Sequence, residues 1–243
     1  MFTTLSPSRF PITLVVVLAG MTAGKLCAAT ITGGLSVPIV YSSVDISAGT
    51  DDWAYYGLSG PSAITSKAGG PGSFSSLSGT FAAGGDSRMF LSFSGGDPVP
   101  SVGSGTAFVF PNQVQGAALS FTATVLAESQ TIRVYLVGYD SRADISAALG
   151  EGGSFSLENA VLPYTDDGDG SGGNHTSGLL TLNLSGATVG DTLTFTVAND
   201  YVGVNDSSFG FVGIQAVTVT VPEPSSLVVG LGGLVLLGLR RRR

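Results

Sequence analysis

The stretch Thr192-Leu193-Thr194-Phe195-Thr196-Val197 decides the fold class. Its apolar residues fall at every second position, with threonine between them. A period of two puts Leu193, Phe195 and Val197 on one face of an extended chain and the threonines on the other. A helix, at about 3.6 residues per turn, would scatter the same side chains around its circumference. The alternation recurs in Ile132-Arg133-Val134-Tyr135-Leu136-Val137, where Ile132, Val134 and Leu136 share a face. It recurs again in Val217-Thr218-Val219-Thr220-Val221, with threonine on the expected wet side. Further apolar or β-branched runs are Leu35 to Tyr41, Met89 to Phe93, Ala107 to Phe110, Ala118 to Leu126, Ala143 to Leu149 and Leu179 to Leu184. Gly, Ser, Asn and Asp separate them, and no segment of useful length carries the helical period. The pattern predicts an all-β fold: a single antiparallel β-sandwich, jelly-roll-like, over residues 30–220.

Composition removes several other classes. Of 243 residues 36 are glycine, about twice the usual share. They follow no three-residue repeat, which excludes collagen. A hydrophobic content of 43% excludes disorder for most of the chain. One Cys allows no intramolecular disulfide, and one Cys with one His gives no zinc site of His and Cys ligands. Between Thr30 and Val221 there are four basic and sixteen acidic residues. Such a body has no basic stripe to neutralise phosphates, which argues against nucleic acid as a partner.

The two ends have a different composition. Arg9 precedes the short apolar run Ile12 to Gly20, and Cys27-Ala28-Ala29 follows it with small side chains. This order predicts a secretory signal peptide at 1–29, cleaved after Ala29 by signal peptidase once the export translocon has engaged it. The only Cys would leave with it, as suits an oxidising compartment. At the other end, Val221-Pro222-Glu223-Pro224 leads into the uncharged run Leu227 to Leu239 and then Arg240, Arg241, Arg242 and Arg243. Pro222 and Pro224 break the strand ladder and hold Glu223 in extended backbone. A helix over 227–239 would be about 20 Å long, short of a hydrocarbon core of roughly 30 Å. The four arginines would keep to the cytoplasmic side.

The segment 221–243 resembles the PEP-CTERM sorting signal of Gram-negative bacteria, with its Pro-Glu-Pro motif, Gly/Leu-rich helix and Arg cluster in that order. The resemblance implies recognition by an exosortase, a membrane cysteine transpeptidase, with Pro222, Glu223 and Pro224 as the matching motif. It also implies a transient stay in the inner membrane, removal of the tail, and display at the cell surface or in extracellular polysaccharide. The body resembles a β-sandwich module found in bacterial exported proteins. That likeness rests on Asp52-Trp53-Ala54-Tyr55-Tyr56-Gly57, Lys67-Ala68-Gly69-Gly70, the strands at Thr131 to Val137 and Ala143 to Leu149, and a last strand near Ile214 to Thr220. Such modules look like carbohydrate-binding jelly rolls, but the fold alone does not bind sugar.

Three sets of residues invite a functional reading. Trp53 and Tyr55 share a strand face, with Tyr56 on the other. They are either core aromatics or an exposed platform on which a sugar ring stacks. In Asp166-Asp167-Gly168-Asp169-Gly170-Ser171-Gly172, the spacing of Asp167 and Asp169 opens like an EF-hand loop, but Gly178 stands where the bidentate Glu belongs. The alternatives are a structural calcium ion on Asp167 and Asp169 or a solvated turn. His175 lies in a Gly/Asn-rich stretch with no nucleophile elbow nearby and reads as a loop histidine. No phosphate-binding glycine loop or dinucleotide fingerprint appears, and no organic cofactor is expected. The expectation is an exported surface protein with a structural or adhesive role and no enzymatic activity. The alternatives are a carbohydrate-binding module built on Trp53, or a glycan-active enzyme with two carboxyls about 5–9.5 Å apart.

Overall fold

Side chains that alternate along an extended chain need a surface to bury against, and the central sheet of this protein has one on each side. The computed structural model describes residues 28–166, 174–202 and 210–223. Among these there is no helix, so none is long and apolar enough to cross a membrane. The expected helix 227–239 lies outside the described residues, as does the expected signal peptide except for Ala28 and Ala29.

The largest sheet runs in the order β1 (Thr30–Ser36), β15 (His175–Ser185), β11 (Ser129–Tyr139), β17 (Phe211–Thr220), β3 (Asp52–Tyr56), β4 (Ile64–Lys67) and β7 (Gly96–Asp97). Short strands extend it: β14 (Tyr164–Asp166) beside β15, β9 (Phe108–Pro111) beside β17, and β5 (Phe81–Gly84) beside β9. A second sheet has the order β10 (Ala118–Thr124), β16 (Thr192–Val202), β12 (Ser141–Leu149), β13 (Ser154–Ala160). A third joins β2 (Ser43–Asp45), β6 (Phe90–Ser94) and β8 (Ser101–Gly105). The named pairings are antiparallel except that β2 and β6 run in parallel.

The single core expected from the sequence is two. The larger lies between the first and second sheets, where Ile132, Val134, Leu180, Leu182, Val217 and Val219 meet Leu119, Phe121, Ile145, Leu193, Phe195 and Val197. The smaller lies on the opposite face of the first sheet, where Trp53, Tyr55, Tyr135, Val137 and Phe211 meet Leu91, Phe93, Ile46 and Met89. The second core explains where the pattern misled. Thr218, expected to be wet, is 1% exposed because β17 is covered on both faces. In β16 the second sheet has only one covered face, so Thr192 and Thr194 are exposed as expected. The run Leu35 to Tyr41 is strand only as far as Ser36. Pro38, which has no N–H for a ladder, interrupts it and leaves Val37 and Ile39 exposed.

One irregularity sets how β17 divides its side chains. Tyr135 pairs with Ala216 and Leu136 with Ile214, so Gln215 is the extra residue of a β-bulge. The bulge resets the alternation: Val212, Ile214, Val217 and Val219 enter the larger core, Phe211 and Ala216 the smaller. Gln215, fully buried, meets every demand of its amide. Its Oε1 accepts from Ser87 Oγ at 2.9 Å, and the two N–H groups of its Nε2 are shared among three acceptors, Tyr55 Oη at 3.0 Å and the carbonyls of Met89 and Gly105 at 3.1 Å. Asn199 ties the second sheet to the same strand: its Oδ1 accepts from Val212 N at 2.9 Å, and its Nδ2 donates to the Asn112 carbonyl at 3.1 Å. Where β3 ends, Gly57 sits at φ +89°, and a Cβ there would lie 2.8 Å from the Phe108 carbonyl oxygen, so glycine is required.

Replacing Gln215 with Leu fills similar volume but takes one partner each from two hydroxyls and two carbonyls in an apolar layer. At about 1–3 kcal/mol for each unsatisfied group, partly relieved by rearrangement, Gln215→Leu should lower unfolding free energy by roughly 2–4 kcal/mol in urea titration. A second expectation concerns pH. Burial pushes the Tyr55 phenol up to about 12, and burial also raises Tyr56 and Tyr135. A phenol whose acid form the fold favours contributes its full stability below its ordinary value of about 10 and loses it above. Chemical stability should therefore be insensitive to these groups up to about pH 10 and fall from there towards pH 12. Equilibrium unfolding across that range, followed by absorbance of the tyrosinate, checks both limits.

Candidate functional site

Of the two readings of Trp53 and Tyr55, core aromatics or an exposed platform, the structure has the core. As read, they point to one face of β3 and Tyr56 to the other, and both are fully buried in the smaller core. Phe93 lies against both, with ring centroids 4.5 Å from Trp53 and 5.7 Å from Tyr55. The third sheet supplies the cover, and covering an aromatic contributes about 4–6 kcal/mol for about 150–250 Å² removed from water. Asp167 and Asp169 lie outside the described residues, and among the described residues no cluster of His, Cys, Asp and Glu could hold a metal ion. His175 is not in a solvated loop: it opens β15, is 9% exposed, contacts the Tyr139 ring edge-on and places Nε2 3.7 Å from Asp86 Oδ2.

At the carboxyl end, β17 stops at Thr220 and the Val221 amide donates to Asp51 Oδ2 at 2.6 Å. The Asp51 amide in turn donates to the Val219 carbonyl at 2.9 Å. Lys67 Nζ closes the cluster, donating to the carbonyls of Thr50 at 2.9 Å and Asp51 at 3.0 Å. Pro222 and Glu223 follow at once and are exposed; Pro224 and Arg240, Arg241, Arg242 and Arg243 are outside the described residues.

A cavity of about 240 Å³ lies where the chain passes from the first sheet to the second. The whole connection from β11 to β12 is one residue, Asp140, at φ 39°. A non-glycine residue in the left-handed region is uncommon and is held by its surroundings. Here the Asp140 amide donates to the Asn174 carbonyl at 3.2 Å, and Asp140 Oδ1 accepts from the Asn174 amide at 3.1 Å. Gly210 packs so closely on the Asp140 carbonyl that no Cβ would fit there. The buried parts of the lining are Asp140, Ser141 and Thr176, and Arg142, Val161 and Thr165 stand exposed around them. Sequence reading did not single out this place. The only local cue is a lone Asp between two strand patterns, and what makes it a corner is that those strands belong to different sheets.

No family model matches the chain, and no curated protein matches it. Among solved structures, the chain is similar to a cycloisomaltooligosaccharide glucanotransferase of Paenibacillus sp. complexed with cycloisomaltoheptaose. The identity is 17% and the TM-score 0.29, over 58% of this chain and 16% of that one. It is also similar to the enzymatically active domain of tailspike protein 4 of Bacteriophage CBA120, at 13% identity and TM-score 0.29, over 60% of this chain and 19% of that one. The chain thus matches less than a fifth of the length of either.

Trp53 is the only tryptophan, so its fluorescence reports the withdrawn platform directly. Emission should be blue-shifted, resistant to iodide quenching and unchanged on adding oligosaccharide. Red-shifted, quenchable emission would return Trp53 to the surface.

Proposed function

We propose that the chain is an exported bacterial protein, sorted by an exosortase through its Pro-Glu-Pro motif and displayed at the cell surface or in extracellular polymer, where its role is structural or adhesive and not enzymatic. In this reading residues 1–29 are a signal peptide, 30–220 a jelly-roll-like sandwich, and 221–243 the sorting signal with helix 227–239. The observation that carries it is the junction at Val221. Its amide donates to Asp51, the last such bond to the body among the described residues, and the exposed Pro222 and Glu223 come directly after. A processing enzyme needs extended, accessible backbone, and Pro222 and Glu223 lie past the end of β17, where a cleft could take them without unfolding a strand. The other end supports the same reading. β1 begins at Thr30, so cleavage after Ala29 leaves the whole strand in place.

The intact mass of the protein recovered from its native host, with and without the exosortase, tests this. The expected result is a mass ending between Val221 and Ser225 in the normal host and a retained tail in the knockout. A mass that includes Arg240 to Arg243 in both would make the tail a plain membrane anchor.

A further inference from the structure

We propose that the cavity at the Asp140 corner is a binding site for one neutral sugar unit of a polysaccharide. This deepens the adhesive part of the reading above and does not depend on how the tail is processed.

The argument begins with size. At about 240 Å³ the cavity falls below the roughly 300–1,000 Å³ that encloses a whole drug-sized ligand. It suits a single ring of a chain that continues into solvent. The lining is polar in a particular way. Arg142, Thr165 and Asn174 bring N–H and O–H groups to it, and none of their side chains hydrogen-bonds to a described residue. Thr176 is 6% exposed and its Oγ1 is buried without a partner among the described residues. A hydroxyl in that position is expensive unless something pairs with it. Val161, 56% exposed, adds an apolar surface beside these groups. Hydroxyls that both donate and accept, set on a C–H face, are the complement to this mixture.

Charge selects the neutral class. Among the described residues, the titratable groups of the lining are one carboxylate, Asp140, and one guanidinium, Arg142, whose formal charges cancel. The body around it has four basic against sixteen acidic residues between Thr30 and Val221. A polyanion approaching that field is repelled, and a neutral chain is not. The site is also built to hold its shape. The Asp140–Asn174 pair of hydrogen bonds and the buried corner fix the floor before any ligand arrives, so little ordering opposes binding.

The test uses calorimetry on the full-length protein in detergent, with maltotriose, mannotriose and galactotriose as neutral probes and trigalacturonate as the anionic one. The expected result is binding of at least one neutral trisaccharide, weakened about tenfold or more in Arg142→Gln, the loss of one charged hydrogen-bonding group. Arg133→Gln, which removes a cation elsewhere, should leave binding unchanged, and thermal melts of both variants should match the parent. The proposal is overturned if no neutral probe binds, if trigalacturonate binds best, or if Arg142→Gln folds and binds as the parent does. None of these outcomes bears on the mass test of the sorting signal.

Discussion

Everything in this fold leans on β17 being covered twice. An edge strand can satisfy one face with water, whereas a central strand between two cores must send apolar groups both ways and still complete its ladders. The bulge at Gln215 resolves that conflict. It turns one residue out of the alternation, so Ile214 and Val217 reach the same core although three positions separate them. The displaced position carries a side chain able to pair with two carbonyls and two hydroxyls, which makes an amide tolerable at full burial.

What could be read in the sequence and what could not divide along the range of the interaction. The faces of β11 and β16 were legible because period two is a property of the strand alone. Ile132, Val134 and Leu136 share the larger core, and Leu193, Phe195 and Val197 face them. The split of Trp53 and Tyr55 from Tyr56 was legible for the same reason. Whether a face is wet depends on what packs against it, and no local pattern carries that. Thr218 was therefore misread as wet and Trp53 left open, and only the third sheet decides both. Pro38 is an intermediate case: its effect on the ladder is local, but a run of apolar neighbours concealed it.

The candidate site lay furthest from sequence reading. Asp140 and Asn174 are brought together by the register of β11 with β15, which pairs Tyr139 with His175. The cavity forms because the neighbouring strand β12 then departs into a different sheet. Neither residue belongs to a motif, and the left-handed backbone at Asp140 is imposed by the change of layer. His175 illustrates the reverse error. Its glycine-rich neighbours suggested a loop, but the ladder to β11 claims it as the first residue of a strand.

The junction at Val221 also has a mechanical meaning. A load applied to the chain beyond that residue enters the molecule along β17, which is bonded to β11 on one side and to β3 and β9 on the other. Antiparallel ladder bonds lie perpendicular to the strand, so a lengthwise pull shears many of them at once instead of opening them in turn. The Asp51 and Lys67 cluster meets the force first. A domain hung from this end would resist extension at its centre and not peel from an edge.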